Sequence, residues 1–314
     1  MAIIASGTVA EAKTLSRSKT KCSRSTSQNK TGSSSGLRFI ISNQSKAKSG
    51  CYSYLYTYAE GDTDDLPEKD IYQFNDFWRF PKEEDDDEEM EELVGPIYFL
   101  ISLPESFPSD VVKKAVLTKA NGEVESLFSF LDEENIYKKV KTSTDYSYNS
   151  TANFIQKWKE IFNILSRNYS IPEEEYYDVG GYLTFVCNQI YEDSNYVSYV
   201  FFQDHGLFRM TGNGGFFWDY VTYEKSTGKI LKFSDINFTN GKEVLKQKLQ
   251  AAYKTEAKAK EVAPERITGN TLLKEFTSVA LVDGGILFHY PIYALGFGYE
   301  GQYNLFVPGE LSGQ

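Results

Sequence analysis

The sequence predicts an α+β protein in which antiparallel sheets pack with a few amphipathic helices, arranged as two small α/β subdomains. Aromatic residues make up 15% and apolar residues 41% of the 314-residue chain, a composition typical of a packed, β-rich core. Short segments with strand patterns follow one another in the second half of the chain, separated by connections that contain Gly, Asn or Asp. Other segments instead have apolar residues at helical spacing.

The first 95 residues are predicted to form a basic tail followed by a β-rich segment. The stretch SRSKTKCSRSTSQNKTGSSSG has no apolar periodicity, so we expect residues 1–36 to be a disordered, solvated tail. In the segment 37–95, strands are predicted over 37–42 and 51–59, and the second has tyrosine at alternate positions. The acidic run KEEDDDEEMEE at 82–92 is predicted to be a loop.

Residues 96–195 are predicted to form an α+β unit. The apolar strand IYFLISL leads into a proline-containing turn, after which Ser109 or Asp110 is suited to cap a helix. The segment TANFIQKWKEIFNILSRNY has an apolar stripe that indicates a second helix packed on a core. The predicted apolar face of the first helix consists of Val111, Val112, Ala115 and Val116.

Residues 196–314 are predicted to form a second unit, an antiparallel meander with one helix. Strand patterns run from YVSYVFFQD to GKILKF, and the triplet STG at 226–228 is predicted to form a turn. A helix is predicted to begin after Asn240 as its N-cap, with Glu243 at the capping-box position. A hairpin that turns at Asp283 and a final strand complete the chain.

Composition excludes several classes of protein. A net charge of -11 argues against a nucleic-acid-binding protein, because neutralising phosphates requires a basic surface. Cys22, Cys51 and Cys187 are too scattered for a disulfide framework or a zinc site. No run of about 18 apolar residues is present, so we expect no transmembrane segment. The start of the chain lacks the basic and apolar regions of a complete signal peptide.

The residue types available for catalysis are few, and we predict no catalytic residue, no metal site and no cofactor. Asp204 precedes His205, but neighbouring strand residues point to opposite faces, so a turn is the preferred interpretation. His289 lies in an aromatic strand and is predicted to be a hydrogen-bonded core or rim histidine. The glycine-rich stretch TGNGG lacks the Lys-Ser/Thr ending of a phosphate loop and is predicted to be a turn.

The surplus of aromatic residues indicates a binding surface for a protein or glycan. Aromatic rings provide a large contact area and lose little side-chain entropy when they bind. The candidate binding residues are Phe216, Phe217, Trp218, Tyr220, Tyr293 and Tyr299.

The second half of the chain resembles a known bacterial domain. The segment TGNGGFFWDYVTYEKSTGKILKFSDIN, an amphipathic helix and LVDGGILFHYPIYALGFGYEGQYNLFVPGEL follow one another. This order is similar to the C-terminal domain shared by the anti-sigma factor RsiV and the peptidoglycan deacetylase PdaC, which is also abundant in Bacteroidetes lipoproteins. The block at 96–200 resembles, more weakly, the partner domain that usually precedes it. The matching positions are Gly214, Gly215, Thr227, Gly228, Lys229, Asp235, Tyr293, Gly301, Val307, Pro308 and Leu311.

The resemblance implies an α+β fold and an extracytoplasmic or periplasmic location at the bacterial envelope. In PdaC the chemistry belongs to a separate catalytic domain, and in RsiV this region binds lysozyme. One motif departs from the family: where the family commonly has Gly-Gly-Ala-His, this chain has Gly214, Gly215, Phe216 and Phe217, and the imidazole is lost.

Three functions follow as hypotheses. The leading one is a non-enzymatic envelope protein that binds a protein or a peptidoglycan-related ligand through its sheet surface. The first alternative is a cell-wall hydrolase with paired carboxylates. The second is an intracellular, cytoplasmic interaction protein, motivated by the lack of a complete signal peptide and by the lone cysteines. The candidate carboxylates of the hydrolase are Asp204, Asp219, Glu224 and Asp235.

Overall fold

A computed structural model describes residues 37–41, 71–78, 94–129, 150–168, 179–207, 215–263, 267–296 and 301–312. The strands are β1 (Leu37–Ile41), β2 (Ile71–Trp78), β3 (Val94–Pro104), β4 (Val179–Glu192), β5 (Tyr196–Leu207), β6 (Gly215–Glu224), β7 (Ile236–Phe238), β8 (Ser278–Val282), β9 (Gly285–Tyr290) and β10 (Tyr303–Ser312). The helices are α1 (Asp110–Ser129), α2 (Thr151–Asn168), α3 (Gly241–Ala259) and α4 (Gly269–Glu275). The predicted tail at 1–36, strand at 51–59 and acidic loop at 82–92 lie outside the described residues.

The strands of the described ranges form two five-stranded sheets. Sheet one has the order β2-β3-β4-β5-β6, and sheet two has the order β7-β1-β10-β9-β8. All pairs are antiparallel except β3 with β4 and β1 with β7. The predicted α+β class is confirmed, although each sheet is mixed. The parallel pair in sheet one arises because α1 and α2 lie between β3 and β4 in the chain and allow the crossover.

The elements stack as helices, sheet one, sheet two and helices. The outer face of sheet one packs against α1 and α2, and the outer face of sheet two packs against α3. Apolar side chains from both sheets fill the space between the sheets. These are Val186, Val200, Phe202, Trp218 and Tyr220 from sheet one and Ala280, Val282 and Leu287 from sheet two.

Strand pairing crosses the predicted division of the chain at residue 195. β4 precedes this division and β5 follows it, yet the two pair over most of their length. β1, from the predicted N-terminal segment, lies inside sheet two. β5 also extends to Leu207, so the turn predicted around Asp204 and His205 is wrong. Pairing with β4 on one side and β6 on the other holds these residues in the strand.

The helix predictions are largely confirmed. Ser109 caps α1, since its Oγ accepts a hydrogen bond from the Val112 amide at 3.4 Å. Val112 is buried as predicted, whereas Val111 is exposed. Asn240 precedes α3 as predicted, but its side chain makes no capping bond. Its Oδ1 instead accepts from the backbone amide of Ile41 in β1 at 3.0 Å.

The turn after β6 is confirmed, and the strand predicted after it is wrong. Gly228 has φ +69°, which favours glycine, and its amide donates to the Glu224 carbonyl at 2.8 Å. The predicted strand GKILKF is reduced to a single bridge between Ile230 and Tyr223. A 3-10 helix, Phe233–Asp235, follows because the Asp235 carboxylate accepts from the Lys232 amide at 2.9 Å.

Two glycines are expected to respond to alanine in opposite directions. A Cβ at Gly285 would lie 2.4 Å from the Val307 carbonyl oxygen, so Gly285→Ala is expected to lower the free energy of unfolding by about 1–3 kcal/mol. Gly122 lies in α1, and a Cβ added there would meet open space, so Gly122→Ala is expected to raise the free energy of unfolding by about 0.5–1 kcal/mol. Urea denaturation measures both, and a neutral Gly285→Ala would contradict the packing at β9.

Candidate functional site

The edges of the two sheets meet where β6 approaches β8. The amide of Tyr220 donates to Ser278 Oγ at 3.3 Å, and the amide of Leu281 donates to Thr222 Oγ1 at 2.9 Å. Thr222 Oγ1 also lies 2.7 Å from the hydroxyl of Ser198 on β5. Side-chain hydroxyls thus satisfy edge amides that would otherwise be buried without a partner.

A buried histidine links the two sheets near this edge. His289 Nδ1 lies 2.8 Å from Asn304 Oδ1, and Asn304 Nδ2 donates to the Tyr220 hydroxyl at 3.0 Å. Burial lowers the pKa of His289, although the Asn304 bond and the charge of Asp219 oppose this effect. The prediction of a hydrogen-bonded core histidine is confirmed. The network of His289, Asn304 and Tyr220 joins β9, β10 and β6.

An exposed aromatic ring stands on the helix-facing side of β6. The Phe217 side chain is 56% exposed, and its register partner on β5 is Gln203. Gln203 donates to the carboxylate of Glu123 on α1. Lys119 Nζ lies 2.8 Å from Glu123 and 2.6 Å from Asp219, two residues along β6 from Phe217. We call these five residues the Phe217 patch.

Lys119 is the electrostatic centre of the Phe217 patch. Burial alone would lower the pKa of Lys119, but the carboxylates of Asp219 and Glu123 outweigh it and raise the pKa. Its ammonium group also lies 5.1 Å from the centroid of the Phe201 ring, a favourable position for a cation over an aromatic face. The patch therefore combines an exposed ring with an ordered ion network.

The structure separates the predicted binding residues. Strand alternation turns Phe217 outward and buries Trp218 and Tyr220 between the sheets, so these two do not form an exposed aromatic row. Phe216 lies in β6, but its side chain is not among those that the structure describes. Tyr299 lies outside the described residues. Tyr293 is 70% exposed in the turn after β9.

The sequence prediction missed Lys119 and Glu123 of the Phe217 patch, and it named Asp219 only as a candidate carboxylate of the hydrolase. The spacing of Lys119 and Glu123, four residues apart, was the one available signal, since such pairs are neighbours on a helix. The contacts of α1 with Gln203 and Asp219 depend on how the helix packs on sheet one. No local pattern indicates them.

The candidate carboxylates of the hydrolase hypothesis lie in different surroundings. Asp219 is paired with Lys119 on the helix-facing side of sheet one, while Asp204 follows Gln203 and points to the opposite face. Glu224 accepts a hydrogen bond from Thr227 at 2.6 Å, within the exposed turn. Asp235 caps the adjacent 3-10 helix.

Three further properties of the described residues concern metal binding, the Cys187 thiol and membrane-spanning helices. No group of three or more His, Cys, Asp or Glu side chains in the described ranges is placed to hold a metal ion. Cys187 is buried in β4, and burial raises the pKa of its thiol. None of the described helices is long and apolar enough to cross a membrane.

A shallow cavity of about 320 Å³ lies at the connection between β3 and α1. Lys113 forms a 2.7 Å ion pair with Asp110 there and lowers the pKa of that carboxyl. Ser109 Oγ donates to the Lys225 carbonyl at 2.7 Å and so joins this connection to the turn after β6. The cavity is lined by Glu105, Ser106, Phe107, Ser109, Asp110 and Lys113.

Comparison with known proteins finds similarity only at the level of solved structures. No family model matches the chain, and no curated protein matches it. The chain is similar to a member of the DUF3298 family from Bacteroides fragilis, with 16% identity, a TM-score of 0.42, and coverage of 76% of this chain and 89% of that one. It is also similar to a DUF3298 family protein from Pseudomonas aeruginosa, with 14% identity, a TM-score of 0.40 and the same coverages, 76% and 89%.

Thr222→Val is expected to weaken the contact between the sheets. The valine keeps the shape of threonine but leaves the Leu281 amide without its acceptor, so the free energy of unfolding should fall by about 1–3 kcal/mol in urea denaturation. Thr255→Val is the matched control, because its hydroxyl is exposed on α3, and a change within about 0.5 kcal/mol is expected. Equal effects of the two substitutions would contradict the role of the Thr222 hydroxyl.

Acid is expected to destabilise the protein through His289. Because burial places the pKa of His289 below its ordinary value of about 6.5, the unfolded chain takes up this proton first. The free energy of unfolding should therefore fall as the pH drops below about 6.5, by at most ~1.4 kcal/mol per pH unit from this group. Above that pH the contribution is constant.

Urea denaturation between pH 7.5 and 5.5 checks this expectation. His289→Gln should reduce the slope of the unfolding free energy against pH, because the titrating group is removed. His205→Gln is the control for the loss of one histidine elsewhere. An unchanged slope in His289→Gln would show that His289 does not titrate in this way.

Proposed function

We propose that this chain is a non-enzymatic protein of the bacterial envelope, that it binds a protein or a peptidoglycan-related ligand, and that the Phe217 patch is its contact surface. The observation that carries the proposal is the 56% exposure of Phe217 on a strand whose neighbouring rings, Trp218 and Tyr220, are buried. A ring held on a paired strand offers apolar area with little conformational entropy to lose on binding.

The surroundings of Phe217 support a protein partner. An aromatic anchor is typical of the centre of a protein interface, and polar groups are typical of the rim around it. Lys119, Glu123 and Asp219 already hold one another in place, so binding need not order them. The net charge of -11 favours partners of basic character, because it accelerates their encounter with this chain.

Tyr293 is a second candidate contact. Its φ of +71° is uncommon for a residue with a side chain, and its ring is 70% exposed. The Ala294 amide donates to the Pro291 carbonyl at 3.0 Å and closes the turn that holds Tyr293. A turn of this kind would be more stable with glycine at this position, so the exposed ring is consistent with a binding role.

The envelope location rests on the sequence motifs shared with the RsiV/PdaC-type domain. One of those motifs includes Gly228, whose φ of +69° agrees with its use as a turn residue. Fractionation of cells that express the full chain separates an envelope location from the cytoplasmic alternative. Recovery in the soluble cytoplasmic fraction alone would refute the envelope assignment.

Phe217→Ala is expected to weaken ligand binding by about 10-fold or more, because a central aromatic anchor is removed. Binding of the full-length chain is measured against a panel of purified muramidases and soluble peptidoglycan fragments. Ile230→Ala is the matched control, since Ile230 is 50% exposed but lies beyond the turn that follows β6.

Two outcomes would contradict the proposal. The wild-type chain binds no member of the panel, or Phe217→Ala and Ile230→Ala weaken binding equally. Circular dichroism and the urea midpoint of both variants show whether each retains the fold.

A further inference from the structure

β1 completes sheet two from a distant part of the chain. It lies between β7 and β10, parallel to the first and antiparallel to the second. Ile41, its last residue, bonds Asn240, which is 199 positions away in the sequence. The next described strand, β2, belongs to sheet one, and 29 residues, 42–70, separate β1 from it. β1 thus occupies a slot built entirely by the C-terminal part of the chain.

The slot recognises β1 through alternate side chains. Phe39 and Ile41 are buried, while Arg38 and Ile40 are exposed. The Phe39 ring packs edge-on against Phe238 of β7, with 5.6 Å between centroids. A strand with this pattern is recognised by pockets that bind every second side chain.

Backbone contacts hold β1 on both sides. The Phe39 carbonyl accepts from the Thr239 amide at 3.1 Å, and the Ile41 amide donates to Asn240 Oδ1 at 3.0 Å. On the β10 side, a Cβ at Gly309 would lie 2.4 Å from the Phe39 ring and 2.5 Å from the Ile40 carbonyl oxygen. Gly309 therefore leaves the space that the ring of Phe39 fills.

We propose that the space between β7 and β10, the β1 slot, is a binding site for an extended peptide with large apolar side chains at alternate positions, and that it accepts β1 of a second copy of this chain in exchange for its own. The exchanged pair keeps every contact described above, since only the connection between β1 and the slot changes. This site is separate from the Phe217 patch, which is formed by α1, β5 and β6.

The connecting chain is long enough for exchange. Residues 42–70 can span up to about 95 Å when extended, well beyond the width of a domain of this size. At low protein concentration a chain's own β1 is favoured, because the tether gives it a high effective concentration. Exchange is therefore expected to rise with the concentration of the protein.

Cysteine cross-linking tests exchange in the full-length chain. Arg38 and Ser312 are register partners on β1 and β10, so one copy carries Arg38→Cys and the other carries Ser312→Cys. Both copies also carry Cys22→Ser and Cys51→Ser, while Cys187 is buried and is retained. A disulfide between the two copies is strongly favoured when β1 of the first lies beside β10 of the second, because the register then holds the two cysteines next to each other.

The expected result is a reducible dimer whose yield rises with protein concentration. Arg38→Cys mixed with Glu310→Cys is the control, because Glu310 pairs with Ile40 and is out of register with Arg38, so a lower yield is expected. Absence of the dimer at all concentrations, or equal yields from the two mixtures, would overturn the proposal.

A peptide tests recognition by the slot without altering it. A specific protease site inserted within residues 42–70 allows the chain to fold intact before it is cut. A labelled peptide of residues 36–43 (GLRFIISN) should then replace the cut N-terminal fragment. The Phe39→Ala peptide should bind at least about 30-fold more weakly. The Arg38→Ala peptide should bind within about 3-fold of the parent, because Arg38 is exposed.

The peptide experiment has two outcomes that would overturn the proposal. In the first, no labelled peptide binds to the cut protein. In the second, the Phe39→Ala peptide binds as tightly as the parent, which would show that the slot does not read the alternate side chains.

Discussion

The arrangement of the two sheets depends on hydrogen bonds between their edges, in which a side-chain hydroxyl on each edge strand accepts from a backbone amide of the other. The hydroxyls of Thr222 and Ser278 each accept a hydrogen bond from a backbone amide of the opposite strand. β6 and β8 therefore meet without continuing a single hydrogen-bonded ladder. A continuous ladder would have produced one wide, twisted sheet, whereas the hydroxyl contacts let two sheets face each other around an apolar layer. The same bonds leave those edge amides unavailable to other strands.

The buried polar chain of His289, Asn304 and Tyr220 adds specificity to this interface. Its groups come from β9, β10 and β6, and each has a partner only in one relative position of the three strands. The position of β6 then decides which of its side chains face outward. Phe217 is exposed, and Asp219 reaches Lys119 on α1, as a consequence of this alignment.

Sheet two shows how a short segment becomes part of a distant core. β1 has five residues, too few to be stable as an isolated strand, and it depends on β7 and β10 for its hydrogen bonds and on Phe238 for its packing. In return it covers two strand edges that would otherwise be open. The two proposed binding sites use separate parts of the fold, so each can be lost without the other.

The sequence by itself determined those features that depend on neighbours along the chain. The apolar stripe of α2, the capping serine of α1 and the turn at Gly228 follow from local spacing and backbone preference. Tertiary structure alone decided the rest, because the exposure of a strand residue depends on what packs against each face. β6 is covered on both faces over much of its length, so its pattern could not show that Phe217 is exposed while Trp218 and Tyr220 are buried. The place of β1 in sheet two depended in the same way on residues about 200 positions away, which no local pattern encodes.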